Sequence, residues 1–125
     1  MRHRCKGLVV GLIATVLAAP VLAQTQLEVT TQAARDFAEA DGRLNKVYRT
    51  LVAKLPSEHV AKLREAQLTW LRFRDQECAF ETMGTLGGSV HRMAETYCQT
   101  RFTEERIGHL EAQLKCTAGN LSCTY

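Results

Sequence analysis

Cys78 and Cys98 stand equally far from Gly88, one before it and one after it, each inside a strongly helical run. Two kinds of chemistry suit thiols placed this way. If the runs fold back on each other near Gly87-Gly88, the two sulfurs come level and oxidise to a disulfide. Alternatively, with His91 nearby, they form part of a thiolate–imidazole metal set. Two other constellations are candidates for catalysis. Glu77 and Glu81 lie one helical turn apart, and Glu104 and Glu105 are adjacent; paired carboxylates can do acid–base work on glycosides. That work needs a pocket that pushes two carboxyl groups to different pKa values, and nothing in the sequence marks either pair as buried. Ser89 and His91 are close in sequence, but no acid completes a nucleophilic set with them. The reading is therefore not an enzyme, with no catalytic residue, no metal and no cofactor.

The compartment decides the thiol chemistry. Residues 1–23 read as a cleaved secretory signal peptide: Arg2, Arg4 and Lys6 form a basic start, Gly7 to Ala19 is uncharged and apolar, and Val21-Leu22-Ala23 places small residues before a cleavage at Gln24. The apolar run is short of a transmembrane span. Cys5 precedes it and no cysteine follows Ala23 directly, so no stable membrane anchor is expected after cleavage. The periplasm or the cell exterior favours disulfides over metal thiolates. Four cysteines then remain, Cys78, Cys98, Cys116 and Cys123, and four allow three pairings. The symmetric placing about Gly88 selects Cys78–Cys98, which leaves Cys116–Cys123 to close a short loop around Gly119-Asn120.

Charge also narrows the function. The whole chain carries 16 basic and 13 acidic residues. The signal accounts for three of the basic ones and none of the acidic, so the chain from Gln24 to Tyr125 is balanced at 13 each. The basic character belongs mainly to the export signal and gives no argument for nucleic acid.

The elements that must hold these residues are helices. Gln24 to about Thr31 is polar and read as loose. Phe37, Ala40, Leu44, Val47, Tyr48, Leu51 and Leu55 then recur at three- and four-residue steps. Pro56 ends this helix and Ser57 caps the next. The second carries Leu63, Ala66, Gln67, Trp70, Phe73 and Cys78 on its inner side and ends near Met83-Gly84. Ser89 caps the third, with Met93, Tyr97, Cys98, Ile107, Leu110 and Leu114 inward. Phe102 falls out of step, which places a kink at Phe102-Thr103. The expected fold is all-α: a small antiparallel three-helix bundle stapled by disulfides, forming a single domain over residues 24–125. Counting levels across the two turns sets Asn45 opposite Gln67, Trp70 opposite Arg106, and Asp75 opposite Arg101. The expected contacts are an amide pair, a cation–π stack and an ion pair. His59 and His109 read as surface residues.

The strings Ala40-Asp41-x-x-Leu44-Asn45-x-x-Tyr48-x-x-Leu51, Leu63-Arg64-x-Ala66-Gln67-x-x-Trp70-x-x-Phe73-Arg74-Asp75-x-x-Cys78, Gly87-Gly88-Ser89 and Cys98-x-x-x-Phe102-Thr103-x-x-Arg106-x-x-x-Leu110 follow in order. Together they resemble the lysozyme inhibitor LprI family, an exported bacterial family, over about Phe37 to Leu114. The resemblance implies a protein partner, with lysozyme, a muramidase, as the target and blockage of its glycan cleft as the mode. An envelope structural or assembly factor without inhibitory activity is the alternative. Because the loop Gly84 to Ser89 lies between two bonded helices, it is the expected target-binding element, with Thr85, Leu86, Ser89, His91 and Arg92 lining one end of the bundle.

Overall fold

The computed structural model describes residues 19–116 and 120–123, with side chains from residue 25 onward. Most of the expected signal peptide, and Gly119 in the C-terminal loop, lie outside the described residues.

Three helices run up, down and up: α1 over Ala19–Val52, α2 over Ser57–Glu81 and α3 over His91–Leu114. A short 3-10 turn at Met83–Thr85 precedes the second reversal. The all-α bundle expected from the periodicity is the observed fold. Its first helix differs from expectation at the start. The stretch from Gln24 to Thr31 is part of α1, where the Thr30 hydroxyl donates to the Gln26 carbonyl and that of Thr31 to the Leu27 carbonyl, both at 2.8 Å. Polarity there reflects a solvated helix, since no glycine or proline interrupts it between residues 24 and 31.

The capping expectations also shift by one or two residues. Pro56 occupies the cap of α2 with ψ 153°, and Ser57 is already helical. Val90, with no side-chain cap bond, precedes α3, so Ser89 does not cap it. Nor is α3 interrupted at Phe102-Thr103. Thr103 is fully buried there, and its hydroxyl donates back to the Gln99 carbonyl at 2.7 Å.

Helices α1 and α3 make the most extensive contact, α2 packs on α3, and α1 and α2 meet only sparingly. The small, fully buried Ala33 and Ala40 let α1 approach its neighbour closely. The core is Leu44, Leu51, Ile107 and Leu110, with Val47, Tyr48, Leu55, Leu63, Trp70 and Leu114 packed around it. This core occupies the end of the bundle where α1 turns into α2. The other end, where α2 turns into α3, is held by chemistry instead: Cys78 and Cys98 are joined across the hairpin with their Cα atoms 5.6 Å apart. Cys116 and Cys123 are joined beyond α3.

Candidate functional site

The reversal between α2 and α3 is built residue by residue from hydroxyls and glycines. Thr82 is buried at the end of α2, and its hydroxyl donates to the Cys78 carbonyl at 2.7 Å. Thr85 donates its own hydroxyl proton to the Thr82 carbonyl at 2.7 Å. Having spent that proton, the Thr85 oxygen can only accept from His91, whose Nδ1 lies 2.9 Å away. The imidazole is therefore protonated at Nδ1, with Nε2 left as its other pole. Gly87 takes φ +76°, the left-handed region, and the Gly88 amide donates to the Thr85 carbonyl at 3.0 Å. A Cβ on Gly88 would stand 3.1 Å from that carbonyl oxygen. Both glycines are thus required by the turn.

These bonds bring Thr85, Leu86, Ser89, His91 and Arg92 together at the stapled end of the bundle. Leu86, Ser89 and Arg92 are exposed; Thr85 and His91 are half-buried and tied to each other. Sequence reasoning missed the apolar side chains beside them. Phe80 is 68% exposed and Met83 58%, with Val90 also exposed, and they flank the expected Leu86. Their signal was present as apolar residues following the cysteine at the end of α2, but the helical stripe gave no reason to place them outside the core.

The middle of the bundle is an arginine–aromatic layer. Arg74 is buried. Its Nε donates to Asp75 Oδ1 at 2.9 Å and its Nη1 to the Thr103 hydroxyl at 3.3 Å. The guanidinium lies 5.3 Å from the ring centres of both Phe37 and Trp70, so it touches all three helices. Arg106 stacks on Trp70 at 5.7 Å, as the level count expects. Two other expected contacts are absent. Asn45 is exposed and donates to Asp41 at 2.9 Å, while Gln67 accepts from Arg106 Nε at 3.0 Å. Both line one open cleft between α1 and α2, whose backbones come close at few places, so equal height along the bundle does not make these amides hydrogen-bond partners. Arg101 likewise bonds Glu81, at 2.9 and 2.7 Å to its two oxygens, and not Asp75. That carboxylate, hydrogen-bonded first and then by its charge, raises the Arg101 pKa above its ordinary value.

Three of the four candidate acid–base carboxylates are accounted for in the same way. Glu81 serves Arg101, Glu104 pairs with Arg43, and Glu105 lies 3.5 Å from Arg101. These are ion pairs on helix surfaces, not carboxyls gathered in a pocket. Among the described residues no group of three metal-ligating side chains is assembled, and no helix is long and apolar enough to cross a membrane. His109 is exposed as expected. His59 is half-buried, with its Nδ1 enclosed, and both line a cleft at the far end of the bundle.

The tip is braced by the Cys78–Cys98 disulfide and carries exposed apolar side chains. Residues 18–110 match the family described as lysozyme inhibitor LprI. An uncharacterised protein of Rhizobium meliloti (strain 1021) is 28% identical over 102 residues, covering 71% of this chain and 73% of its own. No solved structure matches the chain. The family match covers most of the sequence, and the chain belongs to the LprI lysozyme inhibitor family.

Proposed function

We propose that this family member is an exported, disulfide-bonded inhibitor that binds a lysozyme and occludes its glycan cleft with the stapled tip. The observation that carries the reading is the tip itself. Exposed Phe80, Met83 and Leu86 surround a turn whose glycines, hydroxyl bonds and disulfide leave it little freedom to lose on binding. Leu86 is the apolar anchor and Arg92 the charge-assisted contact to a cleft carboxylate. Ser89 adds a hydroxyl donor. His91 keeps Nδ1–H on Thr85, which leaves Nε2 as the ring atom for contact with the target. The inhibitor does no chemistry; it excludes the glycan. Removal of residues 1–23 on export leaves one domain with balanced charge, so association depends on shape and a few contacts more than on long-range steering.

The test is lysis of a cell-wall suspension by lysozyme in the presence of oxidised protein. Stoichiometric inhibition is expected. An unchanged lysis rate with an excess of the protein, against each lysozyme class, refutes the reading. The balanced charge favours a second one, an envelope assembly factor, because a basic lysozyme would select for an acidic partner. Capture of an envelope protein by the oxidised chain, with no effect on lysis, would support it.

A further inference from the structure

At the end of the bundle opposite the stapled tip, the last turns of α1, the start of α2 and the C-terminal half of α3 enclose a cleft of about 460 Å³. Its floor is Leu51, Leu55, Leu63 and Leu110. Its rim is basic: Lys62, Arg106, His59 and His109 line it, and no carboxylate does. The volume and the apolar floor lie in the range of small-molecule sites.

The rim meets carboxylates only at its outer edge, where His59 Nε2 stands 3.8 Å from the exposed Glu58 and Lys62 lies near Glu65. Arg106 is half-buried, gives its Nε to Gln67 at 3.0 Å and stacks on Trp70, but no carboxylate among the described residues pairs with it. Burial lowers its pKa, and no neighbouring negative charge opposes that shift. Lys62 reaches Glu65 at 3.4 Å, yet its side chain is 84% exposed, so it is free to swing to the cleft. His59 Nδ1 is enclosed without a hydrogen-bond partner. A half-desolvated cation beside an apolar floor lacks one thing, an anion carrying its own hydrocarbon.

We infer that this cleft binds a free single-chain fatty carboxylate, with its tail on the leucine floor and its head group between Arg106 and the Lys62–His109 rim. A two-chain phospholipid exceeds the cleft. A basic lysozyme would be repelled by the rim, so this site is separate from the inhibitory tip and does not depend on it.

The probe is decanoate below its micellar concentration, titrated into isotopically labelled oxidised protein and followed by amide shifts and by the fluorescence of Trp70, the single tryptophan. Decanol and decyltrimethylammonium are the controls. Saturable one-to-one binding of decanoate is expected, with shifts around Leu51–Leu55, His59–Ala66 and Arg106–Gln113. Decyltrimethylammonium should bind at least about tenfold more weakly, the effect of losing one charge-assisted hydrogen bond. Arg106→Gln should weaken decanoate by a similar factor. Since that change also removes the Gln67 and Trp70 contacts, the exposed double variant Lys62→Gln, His109→Gln provides a second arm that leaves the core intact, and it should weaken binding several-fold. The inference is overturned if decanoate gives no saturable shifts or binds no better than the cationic analogue. It is equally overturned if the shifts fall at the Phe80–Leu86 end, if the double variant binds undiminished, or if the protein binds phosphatidylglycerol vesicles but not decanoate.

Discussion

Arg74 and Thr103 meet inside the bundle, the guanidinium Nη1 donating to the hydroxyl at 3.3 Å while that hydroxyl donates onward to the Gln99 carbonyl. One side chain thus ties the middle of α2 to the middle of α3 and stacks against Phe37 of α1. Arg74 is held by geometry as much as by charge, since its carboxylate partner Asp75 is half-exposed and screened.

Arg74→Ala should therefore destabilise the protein by about 2–3 kcal/mol, through lost packing of the side-chain stem and an unmatched Thr103. Arg74→Lys should recover only part, because an ammonium cannot hold Asp75 and Thr103 in one plane. Urea unfolding measures both. A double-mutant cycle with Thr103→Val that shows no coupling would contradict this account.

The two disulfides differ in reach, with sequence separations of 20 and 7. Chain entropy makes the first worth about 3 kcal/mol and the second about 2.5 kcal/mol. Cys78→Ser should lower the unfolding midpoint more than Cys116→Ser. Peptide mapping without reduction should recover Cys78–Cys98 and Cys116–Cys123 as the linked pairs.

Gly87 is the described residue with a left-handed backbone. Gly87→Ala should cost about 1–2 kcal/mol, although nothing stands within 4 Å of the added carbon, because the penalty is in φ and not in space. Gly42→Ala, in a helix and equally unobstructed, should instead stabilise by about 0.5–1 kcal/mol. Opposite signs for the two substitutions in thermal unfolding check the distinction.

At the tip, the triple variant Leu86→Ala, His91→Ala, Arg92→Ala should reduce lysozyme inhibition by about a hundredfold or more, since truncating even one hot-spot anchor costs about 2 kcal/mol or above. Folding should be retained, because Leu86 and Arg92 are exposed and the disulfide holds the turn. Inhibition at full strength by the folded variant would show that a different surface engages the target.

Periodicity and a few punctuating residues determined much of this fold from the sequence by itself. Apolar steps of three and four, Pro56, and the Gly87-Gly88 pair specify three helices and two reversals, and the equal distances of Cys78 and Cys98 from Gly88 put the sulfurs level. These are local or one-dimensional facts, so spacing along the chain suffices. The same counting set Trp70 at the height of Arg106, and it also set Asn45 at the height of Gln67 and Asp75 at that of Arg101. Only the first of these is a contact. Height along a bundle follows from residue number, but direction around a helix axis depends on which neighbour lies there, and α1 turns its close face to α3 rather than α2. Tertiary structure therefore decided that Gln67 serves Arg106, that Arg101 reaches Glu81, that Arg74 lies buried, and that Phe80 and Met83 stand outside the core at the tip. The basic cleft was decided in the same way: its residues come from three helices, and only packing shows that the rim lacks a carboxylate.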